Sequence, residues 1–243
     1  MLLILSLDTT SRAGSVAVVR DDVVIAEVTG DPAITHGQRL PGELRRALET
    51  AAVTLDQIDL LAVAAGPGSF TGLRVGIASM QGLACSRGLK VVPVSTLEAL
   101  ARDAARQRQD DALVAPWIDA QRGEVFATLY TAHAQAVLQP PSSARPAETL
   151  CAWRESLGAH AVLFTGDGAV RYREAIATSL GAHGQILEPV PLLAAPVGRI
   201  AALEPHRAVS PHAVVPIYVR RSDAELARDR QQTSDLTPKF TRH

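Results

Sequence analysis

Cysteine is scarce in this 243-residue chain, with only Cys85 and Cys151. They form no C-x-x-C pair and are too few for a disulfide framework, so a reducing compartment, the cytoplasm, is expected. Lysine is as rare, at two residues, and the net charge is −1. No basic run exceeds Arg45-Arg46 or Arg220-Arg221. Tight binding to nucleic acid relies on many phosphate contacts, so a chain acting alone on RNA is not expected. No apolar run reaches the 18 or so residues of a membrane span, and Leu2–Leu7 is too short and lacks the basic flank of a signal segment. The expectation is a protein neither exported nor membrane-bound. What is present is 47% hydrophobic residues, enough for a substantial core without staples.

The first 28 residues alternate as a three-stranded meander: Leu2 to Asp8, a polar turn Thr9-Thr10-Ser11-Arg12-Ala13-Gly14, Ser15 to Val19, and Val23 to Val28. A helix is predicted from about Thr35 to Val53, with Leu40, Leu44, Ala47, Leu48 and Ala51 on one face. The apolar run Asp59 to Ala65 then leads into Gly66-Pro67-Gly68-Ser69-Phe70-Thr71-Gly72 and a helix from Leu73 to about Arg87. Three glycines between a strand and a helix suit a loop that wraps a polyanion at a helix N-terminus. They equally suit a tight turn. A short strand, Lys90 to Pro93, precedes Ser95-Thr96-Leu97-Glu98, which has capping-box form and starts a helix to about Arg108.

The second half repeats this outline. Leu113 to Asp119, the turn Ala120-Gln121-Arg122-Gly123 and Glu124 to Tyr130 parallel the first hairpin. Asp119 then matches Asp8, and Gly123 matches Gly14, if the second turn is two residues shorter. Ala161 to Thr165, Gly166-Asp167-Gly168 and a helical segment Tyr172 to Leu180 echo the first strand, loop and helix. Two copies of one βα unit are the economical inference. An aspartate ending each first strand and a glycine loop in each half are what a two-lobed nucleotide clamp needs, its carboxylates holding hydrated Mg²⁺ and its turns the phosphates. The competing reading has Asp8 and Asp119 capping the hairpin turns by Asx-type hydrogen bonds.

Leu5 to Thr10, Gly66 to Gly76, Val94 to Leu97, Ile118 to Val125 and Pro216 to Arg220 together resemble the TsaB (YeaZ) family of bacterial tRNA threonylcarbamoyladenosine biosynthesis proteins. The resemblance is close over residues 1 to 130, loose to about 210, and returns at the tyrosine motif. It implies an α/β fold of two lobes, the actin/Hsp70/sugar-kinase (ASKHA) superfamily fold, which fits the duplicated unit. It also implies a noncatalytic activating subunit. With the paralogous catalytic subunit TsaD and the ATPase TsaE, such proteins support transfer of threonylcarbamoyl from its adenylate to the adenosine beside the anticodon of tRNAs reading ANN codons. A heterodimer with TsaD, a homodimer when alone, contact with tRNA only through the complex, and ATP used by the partners follow from the same resemblance.

Catalytic equipment is not readable in the chain itself. The catalytic paralogue carries a His-x-x-x-His metal pair on the helix where this chain has Ser95 to Leu100; Thr96 and Leu100 cannot chelate. No catalytic residue, metal site or cofactor of its own is therefore expected. The glycine loop lacks a Walker lysine, since Leu73-Arg74 follow Gly72. Ser69 lacks a nucleophile elbow and an assignable base, which speaks against a peptidase. Asp8, Thr9, Thr10, Gly66, Gly68, Ser69, Gly72 and Asp119 are thus candidates for a degenerate phosphate cleft. A self-sufficient ATP-dependent kinase or hydrolase of the same fold is the alternative, with a glycoprotease-like peptidase behind it.

On the helix after the loop, Leu73, Ile77, Met80 and Ala84 make one apolar stripe, while Gly72, Val75, Ser79, Gly82 and Ser86 make another nearly opposite. Small residues at spacings of three and four allow a second helix to approach closely, so this second stripe is the candidate partner interface, unless it packs inside the lobe. The expected organisation is a partner-binding N-terminal lobe over 1–108 and a C-terminal lobe over 109–221, with the segment about 192–205 packing back on the first. Residues 131–160 read as a variable loop with Pro140-Pro141 followed by a helix, and 222–243 as a flexible tail.

Overall fold

The computed structural model describes residues 1–108 and 110–220. The expected tail over 222–243 lies outside them. Two five-stranded sheets carry the fold, and they share one strand order. In the first, β1 (Leu3–Asp8) pairs antiparallel with β2 (Ser15–Arg20), which pairs with β3 (Val23–Thr29); on its other side β1 runs parallel to β4 (Leu60–Gly66), followed by β5 (Val91–Ser95). In the second, β6 (Leu113–Asp119) takes the place of β1. It lies between the antiparallel β7 (Val125–Tyr130) and β8 (Val137–Ala144) on one side and the parallel β9 (Val162–Thr165) and β10 (Gly184–Ile186) on the other.

The helices are α1 (His36–Thr50), α2 (Phe70–Arg87) and α3 (Thr96–Gln107) in the first half. The second half adds α4 (Pro146–Ala152), α5 (Arg154–Leu157), α6 (Asp167–Arg171), α7 (Arg173–Leu180) and α8 (Ala194–Leu203). The alternation of β1 sorts its side chains between two cores. Leu3, Leu5 and Leu7 pack with Leu40 of α1 and with Ile77 and Met80 of α2. Ile4 on the opposite face packs with Leu97 and Leu100 of α3 and Val197 and Ile200 of α8. In the second half Trp117, Phe164 and Leu129 pack with Leu150, Trp153 and Ile176 of α4, α5 and α7 and their junctions.

Helix α8 belongs to the first sheet although it follows the second in sequence. A Cβ on Gly198 would lie 2.6 Å from Val19 Cγ2 and 2.7 Å from Ser6 Oγ, so only glycine lets α8 sit this close. Two N–H groups at its start are satisfied by the first lobe. Ala194 N donates to Ser15 Oγ (2.9 Å) and Ala195 N to Glu27 Oε1 (3.0 Å).

Several local expectations shift. Helix α2 starts at Phe70, three residues before the expected Leu73, because Ser69 caps it by accepting from Gly72 N at 3.3 Å. Ser95 caps α3 by accepting from Glu98 N, but the Glu98 carboxylate completes no capping box; it pairs with Arg102 and Arg207 instead. Residues 137–144, expected as loop, form the edge strand β8. Its prolines, Pro140 and Pro141, sit where the register against β7 slips between Ala127 and Leu129, and an edge strand with a bulge tolerates them. The second hairpin turn is shorter by one residue, not two: Asp8 faces Ser15 across six turn residues, and Asp119 faces Val125 across five.

Candidate functional site

The two copies meet around a cleft of about 1080 Å³. Its first-lobe wall is made by the turn after β1 and by the glycine loop before α2. Asp8, 2% exposed, turns its carboxylate back on its own chain: Oδ1 accepts from Thr10 N (2.8 Å) and Thr10 Oγ1 (2.6 Å). Burial raises its pKa above the usual carboxylate range, against the lowering effect of these bonds. The resulting Asx turn presents Thr9 and Thr10 to the glycine loop. Thr9 Oγ1 donates to Gly72 O (2.8 Å), and Ser69 N donates to Thr10 O (2.9 Å).

The glycines are small because this turn is pressed against them. A Cβ would lie 2.5 Å from Thr10 Cβ at Gly68, 2.0 Å from Thr9 O at Gly72 and 2.1 Å from Thr9 Oγ1 at Gly76. Gly66, with φ of +114°, would place a Cβ 2.6 Å from Ile217 O. The structure thus brings Asp8, Thr9, Thr10, Gly66, Gly68, Ser69 and Gly72 together. It uses Ser69 Oγ as a helix cap and the space beside three glycines for the chain's own threonines.

The second lobe repeats the arrangement. Asp119 Oδ1 accepts from Gln121 N (3.1 Å), the same Asx turn as at Asp8, and Asp119 Oδ2 accepts from Arg171 Nη1 (3.0 Å). Asp119 N donates to Asp167 Oδ1 (3.0 Å), and burial raises the Asp167 pKa. Gly166 has φ of +100°, and a Cβ there would lie 2.3 Å from Trp117 O; at Gly168 it would lie 2.8 Å from Ile118 C. Gly66 and Gly166 thus both take positive φ where a strand enters its loop, Gly66 against the Ile217 carbonyl of the strap and Gly166 against the Trp117 carbonyl of β6.

The turn after β1 has a support that the sequence pattern did not reveal. Arg39 is buried on α1, where it donates through Nε to Ile34 O (3.1 Å), through Nη2 to the carbonyls of Arg12 and Ala13, and through Nη1 to Glu43 (2.5 Å). Its guanidinium fills the volume a side chain at residue 30 would need, the ideal Cβ of Gly30 lying 1.0 Å from Nη1. Because Arg39 also donates to His36 Nδ1 (2.8 Å), the imidazole is the Nε2–H tautomer, donating to Ser11 O at 3.0 Å. The only advance signal was a pair of charges four residues apart on the apolar side of the helix.

A strap from the C-terminal end of the described chain forms the cleft's mouth. Ile217 N donates to Ala65 O (2.7 Å), and Tyr218 stacks on Phe70 with ring centroids 5.5 Å apart. Arg74 lies over the Phe70 ring, 3.9 Å from its centroid, and donates to Tyr218 Oη at 3.2 Å. Arg220 donates to Glu124 Oε2 (2.9 Å) and Ala120 O (3.2 Å) in the second hairpin.

The small-residue stripe of α2 divides. Gly72 is buried against Thr9 and drops out of any exposed face; Val75 and Ser79 are half-buried, and Gly82 and Ser86 are exposed with Ala78 and Cys85. A side chain at Gly82 would meet nothing within 4 Å. On α3, Thr96 and Leu100 are both buried. Among the described residues, no three His, Cys, Asp or Glu side chains cluster as a metal site, and no helix is long and apolar enough to cross a membrane.

Two sheets of identical order, each with an Asx turn and a glycine loop facing a shared cleft, define a two-lobed ASKHA fold. The family profile described as tRNA N6-adenosine threonylcarbamoyltransferase (TsaD) matches residues 30–182. The tRNA threonylcarbamoyladenosine biosynthesis protein TsaB of Bacillus subtilis is 31% identical over 91% of this chain and 96% of its own. TsaB of Escherichia coli is 41% identical over about half of each chain, 51% and 52%. A crystal structure from Pseudomonas aeruginosa, described as an uncharacterized protein with similarity to peptidase YeaZ, superposes with a TM-score of 0.76 at 29% identity, covering 90% of this chain and all of that one. The chain belongs to this threonylcarbamoyladenosine family and, within it, to the TsaB (YeaZ) proteins.

Proposed function

We propose that this protein is a noncatalytic activating subunit of the assembly that transfers threonylcarbamoyl from its adenylate to the adenosine next to the anticodon of tRNAs reading ANN codons. The observation that carries this reading is the occupied glycine loop. Thr9 and Thr10 stand against Gly68, Gly72 and Gly76, so the loop's backbone serves internal packing. The buried Thr96 and Leu100 on α3, where the catalytic paralogue would carry its histidine pair, support the same assignment. In this reading the chain works in the cytoplasm, binds no nucleotide of its own, and relies on partners of the TsaD and TsaE type for chemistry and ATP use. It reaches tRNA only through them, and it self-associates when alone.

The partner face is the exposed side of α2, from Val75 and Ala78 through Ser79 and Gly82 to Ser86. Small side chains there leave room for a facing helix, and the absence of charge between Arg74 and Arg87 suits a buried contact. The test is co-purification with the TsaD-type paralogue, comparing wild type with Gly82→Leu. Since a side chain at 82 points into open space, the substitution should leave the fold intact and abolish the complex. Undiminished binding at equal folding would remove the interface from α2. Micromolar ATP affinity with magnesium-dependent turnover by the isolated chain would replace the scaffold reading with that of a kinase or hydrolase.

A further inference from the structure

We propose that residues 214–220 form a latch across the mouth of the interlobe cleft, hinged on the first lobe and releasable from the second at Arg220. The strap's first-lobe moorings are many and partly buried. Val91 and Val209 exchange backbone hydrogen bonds of 3.0 and 2.9 Å, Gln81 Nε2 donates to Pro211 O (2.9 Å) and Val214 O (3.1 Å), and Ile217 N donates to Ala65 O. Tyr218 adds an aromatic stack on Phe70 and accepts from Arg74. These backbone bonds tie the segment to β4 and β5 at single points, and Gly66 has no side chain because the Ile217 carbonyl lies against it.

The second-lobe mooring is slighter: besides Val219, half-buried against the core cluster that includes Ile118, Ala120 and Phe126, it rests on Arg220. Arg220 holds Glu124 Oε2 and Ala120 O, with its guanidinium 5.8 Å from the Phe126 ring centroid. Both side chains of the ion pair are about a third exposed, at 30% and 33%. Partly exposed ion pairs are weak and screened by salt, so when the lobes separate this contact breaks first and the strap stays on α2 and β4. Glu124 is held in place from within its own sheet, since Ser143 Oγ donates to the same Oε2 at 2.9 Å. The released state therefore leaves Glu124 ordered and Arg220 free to rebind.

The latch also couples two surfaces. Phe70 and Arg74 belong to the first turns of α2, so the segment that spans the cleft stacks on the helix whose exposed side continues to Gly82 and Ser86.

The native cysteines make this testable in the full chain. Cys85 on α2 and Cys151 on α4 are both exposed and free, one on each lobe, and can carry nitroxide labels for electron–electron distance measurement. Arg220→Ala and Glu124→Gln are expected to add a longer-distance population absent from the wild type, and raised salt to do the same. Hydrogen exchange at the Ile217 amide, which donates to Ala65 O, should stay unchanged in these variants. Superimposable distance distributions in both variants would overturn the latch. Loss of Ile217 protection would overturn its assignment to the first lobe. Glu124→Gln keeps an acceptor for Ser143 and serves as the deciding variant if Arg220→Ala lowers the melting temperature.

Discussion

Thr9 Oγ1 stands where a side chain at residue 76 would begin: a Cβ on Gly76 would lie 2.1 Å from it. The same hydroxyl donates to Gly72 O, so it can move away only by breaking its own hydrogen bond. Gly76→Ala should therefore destabilise the protein by about 1–3 kcal/mol, the usual cost of overpacking a fixed contact. Gly82→Ala, six residues along the same helix and facing open space, should stabilise it by about 0.5–1 kcal/mol through helix propensity. Urea midpoints of the two variants should move in opposite directions, and equal shifts would discount the Thr9 contact.

Arg39 and Glu43 are a buried pair, their side chains 6% and 7% exposed. Removing one partner leaves a desolvated charge, so Arg39→Ala should cost about 3–5 kcal/mol, and the Arg39→Met/Glu43→Leu double variant should recover only the part owed to the stranded Glu43, since the Ile34, Arg12 and Ala13 carbonyls still lose their donor. Arg45→Ala, in the exposed pair with Glu49 on the same helix, should change stability by less than about 1 kcal/mol. Chemical denaturation of the three variants measures this ordering.

Asp8 provides a pH dependence of unusual sign. Its folded pKa is raised by burial, so the folded chain binds its proton more tightly than the unfolded chain does. Such a group lowers stability at neutral pH, and that deficit disappears as pH falls through the folded pKa toward the ordinary value of 3.8. Asp8→Asn retains an oxygen acceptor for Thr10 N and carries no charge. It should be more stable than wild type at pH 7, with the difference shrinking toward pH 4 in paired urea melts. A difference independent of pH would mean that Asp8 is not titrating in the fold.

Trp117 and Trp153 are the chain's two tryptophans, and both lie in the second lobe with ring centroids 6.2 Å apart. Intrinsic fluorescence therefore reports that lobe alone, while circular dichroism reports both. Because α3 packs between the sheets and α8 shares its core, the two transitions should coincide. A separate fluorescence midpoint would mean that the lobes unfold independently.

The repeated βα unit was legible because its signals are local: alternation in β1 and β2, aspartates at Asp8 and Asp119, and glycines at 66, 68, 166 and 168. Other features were hidden by their distance in sequence. Nothing near Arg39 announces that its guanidinium fills the volume beside Gly30 or holds the carbonyls of residues 12 and 13. Periodicity found two stripes on α2 but could not tell that Gly72 lies under Thr9 while Gly82 faces outward. Pro140-Pro141 reads as loop in any window, and only pairing with β7 at a register slip makes it strand. The tyrosine motif at 216–220 carried the family resemblance, yet its docking on Phe70 and Glu124 depends on a cleft assembled from both halves.

Helix α8 covers the side of the first sheet that carries Ile4, Ala62, Ala64, Val92 and Val94, a face that α3 alone covers only in part. The earliest-made strands are thus sealed by a segment made more than a hundred residues later. During synthesis the first lobe waits, with a partly open apolar face, for the second to be translated. A chain interrupted after residue 108 would keep α3 but lack Ala194–Leu203, and would carry that face partly uncovered, a substrate for chaperones and proteases.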